Sequence, residues 1–263
     1  MSACPLSGKN TRIDWQRGPV TQVLEHSHTE RGIHDRLARG PRSNYLRDWI
    51  YGGIDGAVTT LAIVAGVVGA ELSASIVLIL GVANLLADGF AMAASNYIGT
   101  KSERDDYERV LGIERRDIAL VPEGEREEIR QIFAAKGFTG DDLERAVSVI
   151  TSDVALWTRT MATEEYGLAQ TLRSPARAAL STFAAFILCG AVPLVSYLSA
   201  GGLAACVIAP GLTFFIVGAV KSRWSPASWL RSGFETFIIG MSAAALAFAV
   251  GYLLRAGFNM PAV

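Results

Sequence analysis

Five stretches of this 263-residue chain are almost free of charge, and they limit its fold more than any other feature. Residues 49–70 read WIYGGIDGAVTTLAIVAGVVGA, with Asp55 as the one charge. Residues 72–100 read LSASIVLILGVANLLADGFAMAASNYIGT, with Asp88 alone. Residues 178–198 and 202–220 carry none, and 232–254 carry only Glu235. A helix needs about 20 mostly apolar residues to cross a bilayer. Core helices of soluble proteins seldom run that long without charge. The expected fold is therefore all-α, an integral membrane protein with five transmembrane helices. The first 48 residues are polar and Arg-rich and lack the apolar stretch that a signal peptide needs.

Lysine and arginine sort by connection: eight precede the first span, twelve lie between the second and third, three between the fourth and fifth, and one follows the fifth. The other two connections have none. The positive-inside rule then puts the N-terminus and the insertion in the cytoplasm and the C-terminus outside. The chain divides into a polar cytoplasmic tail (1–44), transmembrane helices 1 and 2 (45–99), a cytoplasmic helical domain (100–175), transmembrane helices 3 to 5 (176–255) and a short C-terminal tail (256–263). The 24 basic and 25 acidic residues nearly cancel, which argues against a nucleic-acid partner. Cys4, Cys189 and Cys206 form no CxxC pair, so a thiolate zinc site is not expected, and the last two read as small core residues.

The insertion is polar but periodic, and three helices are expected in it. The first continues the second span to about Ala119. The second starts at Pro122, a good first-turn residue, and ends near Gly137. The third runs from about Asp141 to near Gly167. Along it, Leu143, Val147, Ile150, Val154, Trp157 and Met161 step by three and four as one apolar stripe, which Thr151, Ser152 and Asp153 could break with a new cap. Sixteen of the 25 acidic residues lie here. Glu114 and Asp117 are three apart, as are Glu125 and Glu128, and Met161 and Glu164. Each pair shares a helix face. If the helices bundle, the faces converge on an oxygen-rich cage with one soft sulfur, suited to a divalent ion such as Fe²⁺ or Mn²⁺. The plainer alternative is that the glutamates of residues 123–128 answer the dipole at a helix start and that Met161 is core.

An ionisable group near the bilayer centre costs roughly 2.5–3.5 kcal/mol on insertion scales. Asp55 should sit ~9 Å into the first span; Met92 should be ~9 Å and Asp88 ~15 Å into the second. Asn84, Asp88 and Met92 are spaced by four and share a face. Asp55 opposite Met92, then Asp88, then Asn84, form a ladder for a cation, with Asp88 also able to carry a proton. The alternative is that the two aspartates fasten the helices through Thr59, Ser95 or Asn96. Glycines in both spans allow close helix approach. Glu235 is expected to pair with Arg231. His26, His28 and His34 in the tail could bind metal but are more ordinary as solvated side chains.

The segment YGGIDGAVTTLAIVAGVVGA resembles the first span of vacuolar iron transporter (CCC-type, nodulin-like) proteins, and ANLLADGFAMAASNYIGTKSE resembles their second. VPEGEREEIRQIFAAKGF and DVALWTRTMATEEYGL resemble their cytoplasmic metal-binding helices. The resemblance spans residues ~45 to 255 in the family's motif order. It implies five transmembrane helices, a homodimer with its pore between subunits, and proton-coupled export of ferrous iron or related divalent metals from the cytosol. It implies pore roles for Asp55 and Met92. It also implies metal binding at Glu114, Asp117 (usually Glu), Glu125, Glu128, Met161 and Glu164. Two positions depart from the family. Asn84 stands where many members have an intramembrane Glu, with Asp88 one turn along. Thr160 stands where some have a second methionine.

The resulting expectation is a divalent-metal exporter without a prosthetic group, working with metal ions, protons and the lipid bilayer, in a bacterial inner membrane. It is not expected to be an enzyme. A membrane-anchored di-iron oxidase would need Glu-x-x-His motifs, and the insertion has no histidine. A metal sensor or store anchored by its spans would have no use for Asp55 and Asp88. A transporter of another solute, such as an organic cation, is a third possibility, against which metal binding by the isolated bundle would count.

Overall fold

The computed structural model describes residues 27–40, 43–169, 173–199 and 202–258. The described residues divide into two units, one before and one from Ser43. The described part of the first is one short helix, α1 (Glu30–Arg39), capped by the Thr29 hydroxyl, which accepts from the Gly32 amide at 3.2 Å. Expectations for His26, Cys4 and the last five residues fall outside the described residues. His34 stands 3.7 Å from Asp35.

All regular structure among the described residues of the larger unit is helical. The elements are α2 (Leu46–Gly69), α3 (Ala74–Leu120), α4 (Pro122–Ala135), α5 (Gly140–Thr151), α6 (Val154–Glu164), α7 (Pro175–Leu198), α8 (Gly202–Lys221) and α9 (Trp229–Phe258). Within the described residues α2, α3, α7 and α9 are long and apolar enough to cross a membrane. The remaining expected segment, 202–220, is α8, a 20-residue helix whose one charge, Lys221, stands at its end.

These helices are inside out relative to a soluble bundle. Leu78, Ile79, Leu86 and Phe90 on α3 face outward, as do Ile238, Ile239, Leu246 and Leu253 on α9. Apolar surface of that extent belongs in lipid, where no hydrophobic penalty attaches to it. The inward faces carry small residues instead. α2 lies mainly against α7, α9 and α3. A Cβ at Gly56 would strike the Phe186 carbonyl, and one at Gly190 would lie 2.7 Å from the Gly56 carbonyl oxygen. The α2–α7 crossing is therefore backbone against backbone. Arg255 near the end of α9 pairs with Glu71 in the α2–α3 turn, which ties those ends together. The ion pair expected between Glu235 and Arg231 is not formed among the described residues. Both side chains point outward instead.

α3 has 47 residues, so it is about 70 Å long at 1.5 Å per residue. Its first half packs Val77, Gly81 and Leu85 into the transmembrane core. Its second half leaves that core and joins α4, α5 and α6 in a separate bundle centred on Ile118, Ile129, Val147, Trp157 and Met161. The third helix expected in the insertion is two helices. The Asp153 carboxylate accepts from the Ala155 and Leu156 amides at 2.7 and 3.1 Å and starts α6 as a new helix. An N-cap bond of this kind satisfies amide donors that a continuous helix would have used internally, which makes the break stable.

Candidate metal-binding and transport sites

Glu114 leaves α3 two turns before its end, and Glu125 sits in the first turn of α4, just past the bend at Val121 and Pro122. The bend folds α4 back so that the two carboxyls meet. Glu114 is 3% exposed and Glu125 9%. The Glu125 carboxyl and the Tyr166 hydroxyl both lie beside the Glu114 carboxyl. One oxygen of each acid, Oε2 in both cases, is buried with no hydrogen-bond partner. An unpartnered buried carboxylate oxygen is costly and calls for a cation or a proton.

Asp117 and Glu128 add negative charge from the next turns of α3 and α4, and Glu165 adds more from the end of α6. The Glu125 carboxyl is pushed up to about 7, first by burial and then by Glu128, Glu114 and Asp117. Burial also raises Glu114 and Glu165. The Tyr166 hydroxyl is pushed up to about 12 by burial and by the Glu114 carboxyl beside it. Among the described residues, no three carboxylates close on one point tightly enough to hold an ion as they stand. Half-buried Asp117, paired with Arg116, and exposed Glu128 can turn inward, so the donor set fits a divalent ion with oxygen ligands.

The other two expected ligands have other partners in this structure. Met161 is fully buried among Ile118, Ile129, Val147 and Trp157 and serves as core. Glu164 pairs with Lys136. Its neighbour Glu165 and the following Tyr166 occupy the acidic side instead. Sequence spacing missed both, because it measured helical phase from Met161 and stopped at Glu164. Glu165 is the last residue with helical backbone, so it projects about 100° away from Glu164.

In the transmembrane part, Asp55, Asn84, Asp88 and Met92 are all half-buried. Asp55 on α2 and Asp88 on α3 are close enough to repel each other. Neither carboxylate has a hydrogen bond or ion pair among the described residues. Asn84 is engaged: its amide donates to the Thr59 hydroxyl at 3.2 Å, and that hydroxyl donates to the Asp55 carbonyl at 2.9 Å. Met92 packs against the apolar cluster of Val64, Val67, Leu85 and Phe186. Cys189 is half-buried beside Gly53.

Fastening falls to another acid, Asp48, which is 2% exposed. Arg173 grips both its oxygens, at 2.9 and 3.0 Å. The Asn96 amide donates to Asp48 at 2.9 Å and to the Thr182 hydroxyl at 2.7 Å. This network joins α2, α3, α7 and the segment returning from the bundle. Asn96 thus binds Asp48, not Asp55 or Asp88. The sequence signal was a charge one turn inside α2 with an arginine just before α7.

A model of the VIT family matches residues 46–252, most of the chain. The chain is 32% identical over 254 residues to "Vacuolar iron transporter 1" of Arabidopsis thaliana, covering 94% of this chain and 97% of that one. It is 32% identical over 248 residues to "Vacuolar iron transporter" of Toxoplasma gondii, covering 88% and 82%. It is 32% identical over 212 residues to "Vacuolar iron transporter 1" of Eucalyptus grandis, covering 78% and 84%.

Proposed function

The chain belongs to the vacuolar iron transporter family, and from that premise we propose that it exports Fe²⁺ or Mn²⁺ from the cytoplasm in exchange for protons. Its relatives are named as transporters of iron, and its own helices suit a membrane. The observation that carries the reading is the buried Glu114–Glu125 pair with two orphan oxygens, mounted on the helix that also carries Asp88.

In this reading α8 is the fifth span, and the bundle of α3 to α6 lies on the cytoplasmic side. A divalent ion displaces the proton shared by Glu114 and Glu125 and draws in Asp117, Glu128 and Glu165. Binding relieves the mutual repulsion that raises these acids. Glu164 and Met161 hold the bundle in shape, Glu164 through Lys136 and Met161 through the core. The ion then meets Asp55 and Asp88, whose carboxylates offset the loss of its water. Met92 lines the entrance from its half-buried position. Asn84 holds α2 and α3 in register through Thr59, which leaves Asp88 as the acid that takes the returning proton. The uncovered apolar face of α3 beside Asp88 is where a second copy would close the path as a homodimer. A bacterial inner membrane, with the C-terminus outside, suits the distribution of basic residues.

The test is flux of Fe²⁺ and of Mn²⁺ into proteoliposomes, with and without a pH gradient. Saturable flux driven by the gradient, lost in Asp55→Ala and uncoupled from protons in Asp88→Asn, is expected. Metal binding by the protein without flux of either ion would make it an anchored sensor or store instead.

A further inference from the structure

A cavity of about 740 Å³ lies where the membrane helices meet the bundle, apart from the acidic cluster and the Asp55–Asp88 pair. Its walls are the start of α2, the stretch of α3 from Thr100 to Tyr107, the segment returning from the bundle, and the end of α8 with the turn after it. Four cations line it: Arg47, Arg104, Arg173 and Lys221. Glu103 is the one acidic residue in the lining. Arg173 is committed to Asp48 at 2.9 Å, and Arg104 donates to Glu108 at 3.2 Å. Arg47 lies 5.3 Å over the ring of Tyr51, and neither Arg47 nor Lys221 has a carboxylate within ion-pair distance among the described residues. The wall therefore holds two uncompensated positive charges, brought together from α2 and α8.

The remaining lining is amphipathic. Leu46, Ile50 and Leu168 make an apolar floor, and Tyr51 and Trp224, 54% and 59% exposed, stand at the rim. Aromatic rings with a polar edge settle at the level of lipid headgroups. On α3 the cavity opens where the apolar segment ends and charge begins at Lys101. Basic pockets between membrane helices at this depth hold phosphate-bearing headgroups, and a cavity of this volume accommodates one.

We propose that this cavity binds the phosphate of an anionic phospholipid, held by Arg47 and Lys221 with the acyl chains leaving past Tyr51 and Ile50. The bound lipid bridges α2 and α8 beside Arg173. The site stands on its own residues. It relies on the transport reading only for the assignment of this end to the cytoplasmic leaflet.

The test uses the full chain purified in neutral detergent and native mass spectrometry, with phosphatidylglycerol and phosphatidylcholine titrated in parallel. Wild type should retain phosphatidylglycerol about tenfold more than phosphatidylcholine, the order expected of two basic side chains facing anionic headgroups. Arg47→Gln with Lys221→Gln should abolish the preference while helix content stays unchanged, and Arg47→Lys with Lys221→Arg should keep it. If the double variant does not elute as folded protein, Lys221→Gln alone should remove about half of the preference on a logarithmic axis. Equal retention of the two lipids by wild type, or an unchanged preference in the neutral variants, overturns the proposal. Displacement of phosphatidylglycerol by millimolar inorganic phosphate also overturns it, by making the pocket a site for a soluble anion. No metal enters the experiment, so its failure leaves the transport reading standing.

Discussion

Glu125 is the side chain whose chemistry links proton and metal most directly. Its carboxyl titrates near 7, whereas a free glutamic acid titrates near 4.5. Between those values the native bundle holds a proton that the unfolded chain releases. Stability of the metal-free protein therefore falls as pH rises through that window. A divalent ion competes with the same proton, so its affinity should climb with pH up to about 7 and then level, by up to tenfold per unit for one displaced proton. Calorimetric titration with Mn²⁺ between about pH 5.5 and 7.5 should show that slope in wild type and a weaker, flatter dependence in Glu125→Gln. Parallel slopes in the two proteins would assign the displaced proton elsewhere. Asp48 makes the contrasting case. It is as buried as Glu114, but Arg173 and Asn96 bind its carboxylate, so it fastens rather than waits for a cation.

Among the helices, the glycines separate into those that matter for packing and those that do not. Gly190 faces the Gly56 carbonyl and Leu85, and a Cβ there would lie 2.7 Å from each. Gly99, on the outward face of α3, has nothing within 4 Å of the same position. Overfilling a packed crossing costs about 1–3 kcal/mol. Glycine-to-alanine replacement in an open helix interior gains up to about 1 kcal/mol. Thermal unfolding in detergent should therefore show Gly190→Ala destabilised and Gly99→Ala unchanged or slightly more stable. Equal midpoints would mean that α2 and α7 can part without loss. The same rule of close approach was readable in the sequence as a set of glycines, but which ones face a backbone was not.

In the larger unit, α3 runs from the apolar helices into the polar bundle. That arrangement predicts opposite accessibility for its two ends. In a chain with its three native cysteines replaced by serine, Ser75→Cys should react with a membrane-impermeant maleimide only from outside, and Asp141→Cys only from the cytoplasm. Labelling of both from one side would remove the five-span topology.

How much of this was legible in the sequence depends on how far apart the interacting residues lie. Helix positions, the long continuation of α3, the start of α4 at Pro122 and the apolar stripe through Val147 and Trp157 are local. They follow from hydropathy, proline chemistry and a repeat of three and four residues. The four acids Glu114, Asp117, Glu125 and Glu128 were also found from spacing, because two helices joined by one bend can bring together only the faces next to that bend. What spacing could not resolve was the far side of the cluster. The cap at Asp153 resets the phase of α6 and turns Glu165, not Glu164, toward the acids. Asp48 and Arg173 are 125 residues apart, and no local pattern pairs residues that distant. Periodicity reports which face of a helix is apolar. Only packing decides what that face meets, because the choice depends on where every other helix has already been placed.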